Sequence, residues 1–176
     1  MNIKINEALE AVQAQYKDLV EISDSILMKD CAEVDLIIDD VRLKCHSATL
    51  DQLRNWILDL QLFAYSLSEK KEKALFTADL AEAIQKEKFA ISFNGKEGSQ
   101  GVKDKLALID TSEEIVSQLL YTLIANRLKT KVDQIHRVVD SLKSVLMSRM
   151  QETKFMQLGT SSEIPGTTNG KIILNE

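Results

Sequence analysis

Apolar residues return every three or four positions along most of this chain. Over 4–28 the rhythm is carried by Ile5, Leu9, Val12, Tyr16, Leu19 and Ile26, with Ser23 at one seam position. Spacing that averages about 3.5 lays a narrow apolar stripe along one face of a helix. From about 48 to 93 it continues through Leu50, Leu53, Ile57, Leu60, Ala64, Leu67, Ala74, Ala78 and Ala81. Trp56 and Phe63 flank this seam, and Lys71 interrupts it. No Gly or Pro falls inside, so one long helix of about 65 Å is expected. Alanine replaces leucine toward its far end, and alanine buries less area, so apolar attachment weakens in that direction.

The most regular seam lies at 125–146. Ala125, Val132, Val139 and Leu146 fit the a positions, and Leu128, Ile135 and Leu142 the d positions. Ile124, Val138 and Val145 widen the stripe. Valine at two a positions leans toward a parallel two-stranded coil, whereas the wider stripe suits bundles and higher oligomers. Leu128, Val132, Ile135, Val139, Leu142 and Leu146 are therefore the expected oligomerisation residues.

Two segments break the rhythm. In VDLIIDDVRLKC, residues 34–45, alternation at Val41, Leu43 and Cys45 permits a short β element or hairpin. Val34, Ile37, Ile38 and Val41 equally permit a helix. In FNGKEGSQGVKDK, residues 93–105, three of the chain's six glycines fall within seven positions, and none precedes Gly95. Glycine accepts the backbone of helix ends and tight turns, so the chain reverses at 94–101. Helix resumes near 102, with Asp110, Thr111 or Ser112 as candidate caps because Thr111 has Glu114 at capping-box spacing. The expected fold is mainly α: a long antiparallel helical hairpin plus an N-terminal helix, packed like a coiled coil. Residues 1–156 form one helical domain. Residues 157–176, rich in Gly, Ser and Thr and holding the only proline, read as a flexible tail whose KIILNE end could add a strand to a partner.

Composition agrees with a helical chain: 5% aromatics, six glycines and one proline in 176 residues. The net charge of −5 does not announce a nucleic-acid binder. Charge is uneven, however. Residues 1–60 carry 6 basic and 12 acidic side chains, whereas 126–155 carry seven basic and three acidic. The bland reading is solvated helix faces. Cys31 and Cys45 do not make a disulfide framework. No signal-peptide pattern opens the chain and no apolar run approaches about 20 residues. A soluble cytoplasmic protein with reduced thiols is expected, in the host cytoplasm if the chain is viral.

Catalytic patterns are missing. There is no zinc spacing, HExxH, phosphate-binding GxxxxGK[ST] or GxSxG elbow, and G-x-x-G-x-x-G is not the dinucleotide fingerprint. Cys45-His46 adjacency does not place sulfur against imidazole. His136 reads as a helix-surface residue. Asp35, Asp39 and Asp40 could hold a cation but impose little geometry. No enzyme, metal or cofactor is expected. The turn offers more. Glycine backbone can approach a phosphate closely. Lys86, Lys88, Lys96, Lys103 and Lys105 surround it, and Phe89 and Phe93 could stack on unpaired bases. Against this, the lysines could simply solubilise a tip while the phenylalanines pack inside. Glu87, Glu97 and Asp104 dilute the charge, so useful binding would draw on avidity between copies.

The order of these features resembles the UvsY-type recombination mediators of tailed phages. The resemblance rests on Ile38-Asp39-Asp40-Val41-Arg42-Leu43, on Trp56 within LRNWIL, on the charged helix ending in FNG, and on DSLKSVLMSRMQETKFM, and spans about 34–156. His46 stands where that pattern has an acidic residue, Asn55 where it has lysine, and Phe93 where it has tyrosine. The resemblance implies a ring-forming homo-oligomer that binds single-stranded DNA and helps a RecA-like recombinase displace the single-strand-binding protein, without a membrane. Lys86, Lys88, Phe93, Lys96, Lys103 and Lys105 are the candidate nucleic-acid-binding residues. The acidic first third would face a protein partner or point away from DNA. Two other classes fit the pattern: a helical virion or assembly protein, and a small inhibitor of a host nucleic-acid-binding protein whose acidic segment mimics nucleic acid.

Overall fold

A computed structural model describes residues 2–160, with side-chain environments at 14 and from 16 to 156. Four helices follow in order: α1 (Asn2–Lys44), α2 (Leu50–Gly95), α3 (Gln100–Asp110) and α4 (Ser112–Thr160), with no strand among the described residues. The fold is thus mainly α. Helices α2 and α4 run antiparallel, and α1 lies along both. The segment 34–44, open between helix and strand in the sequence, is the last part of α1. Val34, Ile38 and Val41 take one helical face and are buried there, so helix wins over alternation.

The α2 seam is the one read from the sequence. Leu53, Leu60, Ala64, Leu67, Ala74, Ala78 and Ala81 are buried, and Trp56, Ile57 and Phe63 pack beside them. Facing them are Ile124, Ala125, Leu128, Val132, Ile135, Val139 and Leu142 of α4, with Val138, Val145 and Leu146 at the edge. The residues expected to join separate chains therefore pack within one chain. Completely burying a leucine or isoleucine contributes about 1.5–3 kcal/mol, so this seam holds the hairpin together.

The α1 stripe keeps Ser23 but departs from expectation at two described positions, while the side chains of Ile5, Leu9 and Val12 lie outside the described residues. Tyr16 and Ile26 lie exposed. Instead Leu27, Val34, Ile38 and Val41 are buried, Cys31 and Cys45 half-buried, at alternating steps of four and three. Ser23 begins this stripe, fully buried, its hydroxyl donating to the Val20 carbonyl at 2.8 Å. That bond satisfies a polar group which burial would otherwise penalise.

Charge seats α1. Asp24 pairs with Arg127, Asp35 with Lys131 at 2.6 Å, and Asp30 with Lys70 at 2.6 Å. Two acidic side chains of α1 thus face the basic α4 of its own chain, and a third faces α2. Where α1 ends, the Arg149 guanidinium donates to the carbonyls of Cys45 (3.1 Å), His46 and Ala48. Helix C-termini leave carbonyls unpaired and carry partial negative charge, so a cation there satisfies both. Thr49 then caps α2 through a capping box with Gln52 (3.2 and 2.8 Å).

Helices α3 and α4 are nearly one rod. Thr111 separates them, but its N–H still reaches the Ala107 carbonyl and its own carbonyl still accepts from Ile115, both at 3.2 Å. Its buried hydroxyl donates back to Ala107 at 3.0 Å. Back-bonding of this kind loosens a helix locally. Thr111 is therefore a joint, and not the capping-box residue its spacing with Glu114 had predicted. Helix α4 runs to Thr160, past the expected domain edge at 156; the rest of the expected tail lies outside the described residues.

Candidate nucleic-acid interface

The hairpin tip is built by the last turns of α2, the four residues 96–99, and α3. Only one glycine is demanded by the backbone. Gly98 has φ 121°, a region that side chains rarely adopt. A Cβ at Gly95 or Gly101 would meet nothing within 4 Å. The turn is consequently open on its outer side.

Phe89 and Phe93 lie one turn apart on α2 and stack, ring centroids 6.2 Å apart and planes 17° from parallel. Both are half-buried. The Lys103 ammonium sits 5.9 Å from the Phe93 centroid, within reach of a cation–π contact. Lys105 is exposed and has no ion pair among the described residues.

The other three candidate lysines are engaged. Lys86 donates to Glu82 at 2.5 Å, Lys88 to Glu114, and Lys96 to Asp110 at 2.9 Å. Asp110 also accepts from Ser92 at 2.6 Å, and Glu82 from Gln118 at 3.1 Å. The Lys86–Glu82 pair lies within α2, whereas the other bonds tie the end of α2 to α3 and α4 where the seam is alanine. The carboxyl of Glu114 is held below its usual range by the Lys88 hydrogen bond, and the Lys88 ammonium is held above its own by Glu114. The Asp110 carboxyl is lowered by Ser92 and then by Lys96. An open hollow of about 500 Å³ lies beside this network, lined by Lys88, Ile91, Ser92, Gly95, Lys96 and Asp110.

The structure therefore gathers Phe93, Lys96 and Lys103 at the turn and leaves Lys86 and Lys88 along the hairpin's flank. Between 82 and 114 stand five lysines against seven carboxylates, so the tip as a whole carries no positive excess.

The remaining sequence candidates are dispersed. Asp35, Asp39 and Asp40 each face a different cation, Lys131, Arg42 and Lys44. Cys45 is half-buried against the core, while His46 is exposed, as is His136 on α4. Cys31 lines an open groove of about 400 Å³ between α1 and α4, and burial pushes its thiol up, away from the reactive thiolate. No helix among the described residues is long and apolar enough to cross a membrane.

Two features escaped the sequence reading. Arg149 looked like one of several basic residues on α4, and only its position opposite the end of α1 reveals the clamp. The Thr49-x-x-Gln52 box was legible as spacing alone. No protein-family model, curated protein or solved structure matches this chain.

Proposed function

We propose that this chain is a non-catalytic binding and assembly protein acting as a recombination mediator of the UvsY kind. It holds single-stranded DNA without sequence preference and assists loading of a RecA-like recombinase against a single-strand-binding protein. The observation that carries this reading is the turn: Lys103 lies on the Phe93 ring, Lys105 is free to meet a phosphate, and the backbone at Gly95 and Gly101 is unobstructed. Aromatic faces and lysines in one place are what sequence-tolerant single-strand binding uses. Carboxylates hold three lysines, so each copy binds weakly and several copies act together.

A second reading has its own support. Pairing of Lys86, Lys88 and Lys96 with carboxylates makes the tip a self-contained structural joint, as a helical virion or assembly protein would have.

Anisotropy of a labelled single-stranded oligonucleotide, titrated across salt concentrations, separates them. The mediator reading expects binding that falls steeply with salt, with Lys103→Ala/Lys105→Ala weakening it at least fivefold and leaving helicity intact. No binding at low salt, or full binding by the double variant, overturns the assignment of DNA to this turn.

A further inference from the structure

Lys88, Ser92 and Lys96 follow one another at steps of four along the end of α2, so they share one face. Each is met by a carboxylate from across the turn: Lys88 by Glu114, and Ser92 and Lys96 by Asp110. Two donors converge on one oxygen of Asp110. Its Oδ2 accepts from the Ser92 hydroxyl at 2.6 Å and from the Lys96 ammonium at 2.9 Å. An ammonium and a hydroxyl on one anionic oxygen are also what a backbone phosphate takes. The two carboxylates differ in access. Glu114 is 13% exposed, whereas Asp110 is 44% and Lys96 35% exposed, beside the open hollow of about 500 Å³. The end of α2 carries partial negative charge, which disfavours an anion. Asp110 sits there nevertheless, so the two donors suffice to seat one.

We propose that this hollow is a site for a nucleic-acid backbone phosphate, and that Asp110 occupies its donors in the unbound chain as an internal competitor. The ligand rests on the single-stranded DNA reading above; what is added is a contact residue, Ser92, and a gate, Asp110. A phosphodiester carries the same single negative charge as the carboxylate, so the exchange leaves the charge facing Lys96 unchanged. Asp110 swings out into solvent that already reaches it, whereas Lys88 stays on the shielded Glu114. An ion pair this exposed holds weakly, so a strand arriving at Lys103 and Lys105 displaces it. Phe93 follows Ser92 by about 100° around the helix, so the hollow and the ring open on neighbouring faces, as the phosphate and base of one nucleotide require. Competitor and ligand exclude each other. Asp110 therefore lowers the affinity of each copy in proportion to the fraction of chains in which it is seated.

Anisotropy of a labelled single-stranded oligonucleotide at low salt tests the gate in the full chain. Asp110→Asn keeps an acceptor for Ser92 and removes the competing charge, so it tightens binding about two- to fivefold. Glu97→Gln removes an exposed tip carboxylate outside the hollow's lining, controls for charge alone, and tightens binding less. In a Lys96→Ala background the excess gain from Asp110→Asn disappears, because the donor it frees is gone. The unaltered chain gives a second readout. Tripolyphosphate, compared with chloride at matched ionic strength, slows acetylation of Lys96 followed by mass spectrometry and leaves Lys88 unchanged. Equal binding by the Asp110→Asn and Glu97→Gln chains, or a gain that survives Lys96→Ala, overturns the gate and leaves the DNA reading standing. No oligonucleotide binding by any chain overturns the DNA reading. The hollow then stands as a phosphate site if tripolyphosphate protects Lys96 more strongly in the Asp110→Asn chain, and falls if it does not.

Discussion

The base and the tip of the α2–α4 hairpin share one pair of helices but cohere by different forces. At the base, Leu53, Leu60 and Leu67 meet Leu128, Ile135 and Leu142, and α1 covers them. At the tip, Ala78, Ala81 and Ala107 fill the seam, and cohesion passes to Lys88–Glu114, Gln118–Glu82, Ser92–Asp110 and Lys96–Asp110. Apolar burial involves no titrating group and is not weakened by charge screening, whereas partly exposed ion pairs respond to pH and are screened by salt. The lesson is that one continuous seam has a secure half and an adjustable half. The adjustable half carries the turn proposed to bind DNA.

Deleting core volume gives the largest expected contrast. Ile135→Ala should cost about 2–5 kcal/mol by urea denaturation, because it removes methylenes and leaves a cavity. Ala78→Gly at the tip should cost about 1 kcal/mol, the helix-propensity difference. Equal losses would mean that the two halves are not held differently.

Next in size is the α1 clamp. Arg149→Ala leaves the carbonyls of Cys45, His46 and Ala48 without their donor. Charge-assisted bonds at a half-buried site put the loss at roughly 2 kcal/mol. Hydrogen exchange should rise at amides of 38–48 and stay unchanged at 88–110. Faster exchange at the tip, with α1 unaffected, would contradict the clamp.

The smallest effect is a pH response confined to the tip. Asp110 and Glu114 titrate below their unfolded values near 4, so their contribution is present above about pH 4 and is lost as pH falls through the lowered folded values. Lys88 titrates above its unfolded value near 10.4, so its contribution is present below that and is lost as pH rises through the raised one. Limited proteolysis at 96–105 should accelerate below about pH 4 before any cut appears near 45–49. Simultaneous cutting at both ends would remove the distinction.

Much of this architecture could be read from the chain alone. The α2 and α4 seams were legible to the residue, because a buried helix face needs apolar groups at a fixed period whatever it packs against. The cluster of Gly95, Gly98 and Gly101 marked the reversal, although only Gly98 takes a φ that side chains avoid. Other features needed a partner surface to become visible. Over 16–27 the chain offers both Ile26 and Leu27, and only the groove between α2 and α4 selects Leu27. Thr111 and Glu114 have capping-box spacing, but Lys88 and Ala107 take their side-chain bonds instead. Likewise, the acidic first third and the basic stretch of α4 read as solvated helix faces until the fold paired Asp24 with Arg127 and Asp35 with Lys131. Periodicity is a local property, so the sequence by itself determined α2 and α4 and their inner faces. Which charges are neutralised, and which apolar stripe stays uncovered, depends on residues about a hundred positions apart meeting. Only the tertiary structure decides that.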